Sequence, residues 1–545
     1  MTKKQVTIIT ALSVIAFILA LMVSGRLWLR LDLTKNKAYT ISKVSRNLHK
    51  ELSDPVNITY YLSNKLRTIV PVPGEIEDML KEYAAYSKGK IRLTVRDPLK
   101  AGLSKADELG LQPRQVQTVE QDNASLITVY SGIVIEYLDR LDVLPWVIST
   151  DTLEYDLTSR IRSLVNETER WIGVLVGDSF RQWREDFGYL EATLAEAGYR
   201  VRLISIGDEI SDTIPALFVL GGAEDLDDWM LYRIDRYIQQ GGKVLFAVKG
   251  VFVDTVSGSI DARLHQKQTL LEMIASYGVI IRQELALDRN ALTLQYQTRA
   301  PNGAIQYRIM RYPLWIGVLG DNGNAKHPVC SAFAGLDLYW SSPLELASPS
   351  PSVEAVSLFT SSPQGWAMRQ AFYTNPEIPY MLEMEANETK GVKILGAALT
   401  GTFPSFYKGS PKPAHEGSGE ELPDMPENAK ESRIIVVGET DFATNMINAT
   451  QARHNLDFLL RAADWLSNDD DIIGIRNRQP QIGRLDKIAD PKSRAAVIKM
   501  IQILNIGIIP LLVIIAGFVI ASRRRKLAQN AELKNVKEKD NDNDV

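Results

Sequence analysis

Two apolar runs without a charged residue lie near the ends of this 545-residue chain, at residues 5–25 and 500–522. Each run exceeds the roughly 20 residues that a helix needs to cross the hydrocarbon core of a bilayer. The pattern predicts an N-terminal transmembrane anchor over residues 1–30 and a C-terminal transmembrane helix over residues 500–522. The basic cluster at 523–526 indicates the cytoplasmic side of the second helix. We therefore expect an inner-membrane protein with both termini in the cytoplasm and residues 30–499 outside it.

The region after the first run, residues 31–168, carries short alternating patterns typical of a small α/β domain. A strand, a helix and a strand are followed by a hairpin of two strands and a second helix, which is the order of a thioredoxin-like domain. Because no Cys-x-x-Cys is present, the fold is expected to act as a scaffold without thioredoxin chemistry. The expected strands are 56–62, 91–95, 126–130 and 133–137, and the expected helices are 75–86 and 152–164.

From residue 169 the chain alternates near-continuous apolar strands with amphipathic helices. Such strands, joined by helices, indicate a doubly wound parallel sheet of the flavodoxin or class I glutaminase type. We assign its first part to residues 169–290 and its final strand–helix unit to residues 433–480. The expected strands are 171–176, 201–204, 216–220, 243–248, 279–281 and 434–437.

The remaining segments lack this alternation of apolar strands and amphipathic helices. Residues 291–405 are expected to form a β-rich irregular insertion in the α/β domain. Residues 406–432 are rich in proline and have no apolar periodicity, which predicts a disordered loop. A juxtamembrane linker is expected at 481–499 and a charged cytoplasmic tail at 523–545.

Composition excludes several classes of function. A net charge of −4 gives the chain no global basic field for nucleic acid, so we expect no nucleic-acid partner. Cys330 is the only cysteine, which excludes an intrachain disulfide and a cysteine-based metal cluster. Membrane lipid is an expected partner because of the two apolar runs.

Motifs for catalysis are missing from the sequence. There is no G-x-x-x-x-G-K-[ST] loop for nucleotides, no H-E-x-x-H, and no G-x-S-x-G elbow. His327 is the best of five scattered histidines, and Cys330 lies in the irregular region rather than at a strand end. We therefore predict no catalytic residue, no metal ligand and no cofactor, and do not expect an enzyme.

Acidic residues follow two of the predicted parallel strands. Asp178 comes after the strand at 171–176, and Glu439 and Asp441 come after the strand at 434–437. Open α/β sheets bind ligands at the carboxyl ends of their strands, so these three side chains are candidate ligand-binding residues. The alternative is that they cap the next helix or close the turn.

Several segments together resemble the GldG family, auxiliary subunits of ABC transporters related to the gliding-motility transporter. They include LDLTKNKAYTIS at 31–42, EIEDMLKEYAAYSKGKIRLTVRDP at 75–98, IDRYIQQGGKVLF at 234–246 and RIIVVGETDFATN at 433–445. In that family a Gly-Asp-x-Asp-Phe pattern follows the strand, and here Glu439 replaces the first acid. The resemblance implies a separate ABC-type ATPase and a multi-span permease as partners. It also implies a bacterial, periplasmic location for the α/β portion.

The expected function is a non-catalytic auxiliary subunit of a bacterial ABC transporter. Its extracytoplasmic domain would recognise substrate, or a cell-envelope polymer or protein, and couple to the ATPase and permease. One alternative is a stand-alone, membrane-anchored glycan- or peptide-binding protein with an aromatic cleft drawing on Trp315, Tyr339 and Trp340. Another is an envelope hydrolase of glutaminase-like fold, with Asp178, Glu439 and Asp441 around one pocket.

Overall fold

The computed structural model describes residues 40–98, 106, 108–120, 123–150, 152–166, 170–255, 260–299, 302–331, 333–347, 350–414, 421–467, 515 and 522. The chain divides into two compact units, Met1–Gln479 and Pro480–Val545. All features described below belong to the first unit. The domain boundaries expected within the chain stay a prediction.

The expected fold class requires a correction. Within the described residues, no helix is both long enough and apolar enough to cross a membrane. The longest helices with described bounds, Val72–Tyr86 and Arg453–Ser467, have 15 residues and are therefore about 22 Å long. Apart from residues 515 and 522, the runs at 5–25 and 500–522 lie outside the described residues, as do the expected linker and tail. The structure supports an α/β fold with mixed sheets and does not support the two terminal transmembrane helices.

The N-terminal part of the unit contains four helices and six strands with described bounds. In chain order they are α1 (Lys43–Glu51), β1 (Val56–Leu62), α2 (Asn64–Ile69), α3 (Val72–Tyr86), β2 (Ile91–Arg96), β3 (Arg114–Glu120), β4 (Asn123–Val129), β5 (Ser131–Tyr137), β6 (Arg140–Leu144) and α4 (Leu153–Asn166).

A four-stranded sheet organises this part, in the order β2-β1-β5-β6. Strands β1 and β2 are parallel, whereas β5 is antiparallel to both β1 and β6. Helices α3 and α4 bury Ile76, Leu80 and Leu157 against the sheet. The directions agree with a strand–helix–strand unit followed by a hairpin and a helix.

The hairpin itself was predicted wrongly. The strands expected at 126–130 and 133–137 do not pair, because β4 forms a separate two-stranded sheet with β3. The hairpin partner of β5 is β6, whose residues are mostly only partly buried. That strand therefore lacks the apolar run by which the others were found.

The second part begins at Trp171. Its elements are β7 (Trp171–Val176), α5 (Trp183–Asp186), α6 (Gly188–Glu196), β8 (Arg200–Leu203), β9 (Ala216–Leu220), α7 (Asp228–Gln239), β10 (Lys243–Ala247), β11 (Val251–Asp254), β12 (Asp261–Leu264), α8 (Thr269–Tyr277), β13 (Val279–Ile281), β14 (Leu285–Leu287), β15 (Ala291–Arg299), β16 (Ile305–Leu319), β17 (Gly335–Tyr339), β18 (Leu344–Leu346), β19 (Val353–Thr360), β20 (Trp366–Met368), β21 (Ile394–Gly401), β22 (Ser432–Val437), α9 (Met446–Thr450) and α10 (Arg453–Ser467). Short 3-10 helices cover Gly320–Asn322, Pro328–Cys330, Pro379–Glu383 and Asp441–Ala443.

A nine-stranded sheet forms the centre of this part. Five of its strands are parallel, in the order β8-β7-β9-β10-β22. Helices α6 and α10 bury their apolar faces on one side of the sheet, and α7 and α8 bury theirs on the other. This is the doubly wound arrangement in which the chain first adds one strand on one side of β7 and then continues on the other.

The sheet is mixed rather than purely parallel, which corrects the expected parallel sheet. Strand β21 lies antiparallel to β22, and β18 and β19 pair antiparallel with β21. Part of the segment expected as a β-rich insertion thus extends the central sheet. Gly396 makes this packing possible, because a Cβ there would overlap the ring of Phe359.

The segment expected as a disordered loop is partly held against α7. Its described residues, 406–414 and 421–432, carry no helix, and their only strand residue is Ser432, the first of β22. Leu422 is nevertheless buried, and the Tyr232 hydroxyl donates a hydrogen bond to the carbonyl of Pro423 over 2.9 Å. Leu422 is an apolar residue within a polar stretch, and the composition of the stretch alone did not predict that it would be buried.

Candidate functional site

Four loops converge at the carboxyl edge of the parallel strands. They follow β7, β9, β10 and β22 and begin at Gly177, Gly221, Val248 and Gly438. The loops after β7 and β9 flank the point where the strand order reverses, which is where open α/β sheets form their ligand crevice. All three acids predicted from the sequence lie here.

Asp441 is the centre of a buried ion network. One oxygen of its carboxylate accepts a hydrogen bond from the Arg181 guanidinium, and the other accepts one from the Lys249 ammonium. Asp441 is almost fully buried, and each cationic side chain is only 10% exposed. Burial alone would raise the pKa of Asp441, but Lys249 and Arg181 outweigh it and hold the pKa below its ordinary value. One carboxylate thus links the loops after β7, β10 and β22.

Glu439 serves as a local cap. Its two side-chain oxygens accept hydrogen bonds from the backbone N–H groups of Asp441 and, at 2.6 Å, Phe442. The Lys249 Nζ lies 3.5 Å from its Oε1. Complete burial is the main cause that raises the pKa of Glu439 to about 8, and the nearby Lys249 opposes it. These hydrogen bonds to the backbone of the turn are the contacts that the capping alternative predicts for Glu439.

Asp178 connects the loop after β7 to the loop after β9. Its Oδ1 accepts a hydrogen bond from the backbone N–H of Gly222 over 2.7 Å, and its Oδ2 lies 3.6 Å from the Arg181 Nε. Gly221 has a φ of 78°, and a Cβ there would overlap the Asp178 carboxylate. Burial raises the pKa of Asp178 above its ordinary value. Glycine is thus required here both for the backbone conformation and for space.

A small pocket opens beside this network. Its volume is about 30 Å³, and a buried water needs roughly 10–15 Å³. Its lining includes the charged residues Asp178, Arg181 and Lys249 and the aromatic residues Phe180 and Phe252. A volume of this size has room for one or two waters.

The sequence predicted the acids but missed the two cations. Arg181 and Lys249 lie within a few residues of strand ends at the same edge as the acids. A search for basic residues just after the parallel strands would have found both. Among the described residues, no group of three His, Cys, Asp or Glu side chains is arranged to hold a metal ion.

The other chemically notable residues are buried or partly buried. Burial raises the pKa of the Cys330 thiol to about 12, and burial lowers the pKa of His327 to about 4. Trp315, Tyr339 and Trp340 are almost fully buried, and the Trp315 ring contacts each of the other two rings edge to face. They fill the core between small sheets, so the aromatic cleft of the binding-protein hypothesis is not formed by these residues.

Glu439 makes the stability of the unit depend on pH. Between pH 4.5 and about 8 the folded chain keeps a proton on Glu439 that the unfolded chain has released. Stability from this group is therefore complete below pH 4.5 and falls as the pH rises to 8, by at most roughly 1.4 kcal/mol per pH unit. Asp441 titrates below this window. We expect the Glu439→Gln variant to show a flatter profile in urea denaturation from pH 5 to pH 8; an unchanged slope would contradict the assignment.

Gly438 fixes the start of the acidic turn. A Cβ at this position would overlap the backbone carbonyl oxygen of Ser342, and the Gly438 carbonyl accepts a hydrogen bond from the Ser342 N–H over 2.7 Å. We expect Gly438→Ala to lower the free energy of unfolding by about 1–3 kcal/mol. The matched control is Gly74→Ala in α3, where a Cβ meets nothing within 4 Å. Thermal unfolding of both variants measures the difference, and equal melting temperatures would refute it.

Two models of protein families match the sequence of this chain. A family model described as an ABC-type uncharacterized transport system matches residues 169–462, more than half of the chain. The chain belongs to this family. The matched region runs from just before β7 into α10 and contains the whole carboxyl-edge network. A second model, a domain of unknown function (DUF7088), matches residues 35–136.

The chain is also similar to an uncharacterized bacterial protein and, more weakly, to two solved structures. An uncharacterized protein of Borreliella burgdorferi is 27% identical over 506 residues, which cover 91% of this chain and 94% of that protein. The solved N-terminal domain of mmIFT52 is 10% identical with a TM-score of 0.31, covering 55% of this chain and 98% of that domain. A ThuA-like protein from Parabacteroides merdae is 12% identical with a TM-score of 0.26, covering 55% and 89% respectively. TM-scores this low indicate nothing about the fold or the function of this chain. Neither GldG nor gliding motility is named by any of these matches.

Proposed function

We propose that this chain is a non-enzymatic, GldG-like auxiliary subunit of a bacterial ABC transport system. A separate ATPase and a multi-span permease would be its partners. The observation that carries the proposal is the family match over residues 169–462, which spans the entire parallel sheet and its carboxyl edge. Membership in a transport-system family supports association with transporter components.

The contacts at the carboxyl edge support a positioning role over catalysis. All three candidate acids are engaged by protein groups: Asp441 by two cations, and Glu439 and Asp178 by backbone N–H groups. A general acid or base must instead reach the atom whose proton it transfers. In the hydrolase alternative a nucleophile would follow β10, where this chain has Lys249 and Gly250. The acids thus serve in this proposal to shape the crevice and its rim.

The location of the described unit is part of the same proposal. By its resemblance to GldG proteins, we place it on the periplasmic side of the inner membrane. There it would meet substrate, or a cell-envelope polymer or protein. The rim residues Phe180 and Phe252, beside the pocket, offer apolar surface for such a contact, since Phe180 is 42% exposed.

Co-purification tests the proposed function. The tagged full chain, expressed at native level, is isolated in mild detergent, and the proteins bound to it are identified by mass spectrometry. We expect an ABC-type ATPase and a multi-span permease in amounts comparable to the chain, and neither from an untagged strain. Isolation of the chain without them would refute the proposal and favour the stand-alone binding protein.

A further inference from the structure

The hairpin formed by β15 and β16 leaves the core as a two-stranded ribbon. Tyr312 of β16 is fully buried, whereas every residue of β16 from Ile305 to Ile309 is exposed. In β15, Leu294 still packs against the core, and its cross-strand partner is Met310. Beyond that pair the described residues of the ribbon are half-buried or exposed.

One face of this ribbon carries a continuous apolar stripe. Ile305, Tyr307 and Ile309 alternate along β16 and therefore share a face. Their exposed fractions are 62%, 64% and 70%. Cross-strand partners on this face are the polar residues Arg299, Gln297 and Gln295. Water thus contacts three large apolar side chains that the fold itself leaves uncovered.

The charge of the ribbon is of one sign. From residue 289 to residue 319 the sequence contains four arginines and no aspartate or glutamate. Arg289 at the base is bound by Glu383. Among the described residues, no ion pair involves Arg299, Arg308 or Arg311. Arg299 and Arg311 thus lie on the face of the apolar stripe, and Arg308 lies on the opposite face. All three residues are exposed and have no acidic neighbour in the hairpin.

We propose that the β15–β16 hairpin docks on the surface of an anionic lipid bilayer. Ile305, Tyr307 and Ile309 would enter the interface between headgroups and acyl chains, and the arginines would bind lipid phosphates. Exposed apolar side chains flanked by arginine are the combination that binds anionic membrane surfaces. The inference that this hairpin lies near a membrane rests on the proposed function of the chain as a transporter subunit.

A protein partner fits the same surface less well. A standard protein interface needs roughly 20–30 residues on each side, with a well-packed apolar centre. The stripe is a single row of three side chains on a narrow ribbon. A bilayer needs no shape-matched pocket, and its phosphates complement an all-cationic hairpin.

A fluorescent label in the hairpin tests this inference. Cys330 is only 1% exposed, so a single new cysteine can be labelled selectively in the full chain. The environment-sensitive dye NBD is attached to Gln295→Cys, opposite Ile309. We expect its emission to shift to the blue with phosphatidylglycerol vesicles and to stay unchanged with phosphatidylcholine vesicles. The matched label on Asp139→Cys, an exposed position with a side chain 91% accessible, should not respond.

Variants of exposed hairpin residues separate charge from apolar contact. Arg299→Gln with Arg311→Gln should raise the lipid concentration for half-maximal shift by roughly 10- to 30-fold. Ile305→Ser with Ile309→Ser should abolish the shift. An absent shift, or an equal shift with both lipids, would overturn the proposal, as would a shift that requires added ATPase and permease. Because the readout uses no transporter subunit, its failure is distinct from failure of the co-purification.

Discussion

Replacing Asp441 by alanine should lower the free energy of unfolding by about 3–5 kcal/mol. The substitution removes the acceptor shared by Arg181 and Lys249, and both cations remain largely buried. Arg181 would keep only the more distant Asp178, at 3.6 Å, and Lys249 only Glu439, at 3.5 Å. Buried charges that lose their main partner are costly because they do not regain hydration. The measurement is urea denaturation followed by tryptophan fluorescence, compared at constant pH.

Two further variants make the Asp441 test specific. Asp139→Ala removes an aspartate whose side chain is 91% exposed, so its effect should stay within about 0.5 kcal/mol. Asp441→Asn keeps the volume but removes the charge, and it should recover only a minor part of the loss. A cost below about 1 kcal/mol for Asp441→Ala would show that the network does not hold the loops together.

Replacing Asp464 by alanine should have a comparable effect, again about 3–5 kcal/mol. Asp464 of α10 accepts hydrogen bonds from the hydroxyls of Tyr155 and, at 2.6 Å, Tyr199. Its Oδ1 also lies 3.0 Å from Nη2 of Arg170, whose guanidinium stacks on the Tyr199 ring. Because Tyr155 belongs to α4, this carboxylate joins the N-terminal sheet to the nine-stranded sheet.

Calorimetry separates this linking role from simple destabilisation. We expect the Asp464→Ala variant to show the two sheets unfolding at more widely separated temperatures than in the unmodified chain. The control is Tyr155→Phe, which removes one hydrogen bond to a charged group and should cost about 1.5–3 kcal/mol. A single unshifted transition in Asp464→Ala would contradict the role given to this residue.

Local patterns in the sequence were sufficient for the central strands. The expected strands at 56–62, 171–176 and 216–220 coincide with β1, β7 and β9. Each is a run of mostly apolar or β-branched residues, most of which the fold buries, so the signal lies within the strand itself. The same signal was too weak for β6, and it could not show that β21 pairs with β22.

The candidate site was only half predictable for a related reason. The acids stand next to recognisable strands, and the rule for open α/β sheets places them at one edge. Their partners are far away in the chain: Arg181 is 260 residues from Asp441, and Lys249 is 192 residues from it. A pairing over such separations depends on strand order, which the sequence alone did not determine.

Reciprocal capture from native membranes tests the central proposal most directly. The ATPase subunit of the proposed transporter is tagged, and the molar ratio of this chain to the ATPase and permease is measured by quantitative mass spectrometry. An auxiliary subunit should be recovered at a constant whole-number ratio that persists on dilution. Recovery of the ATPase and permease together without this chain would contradict its assignment as a transporter subunit.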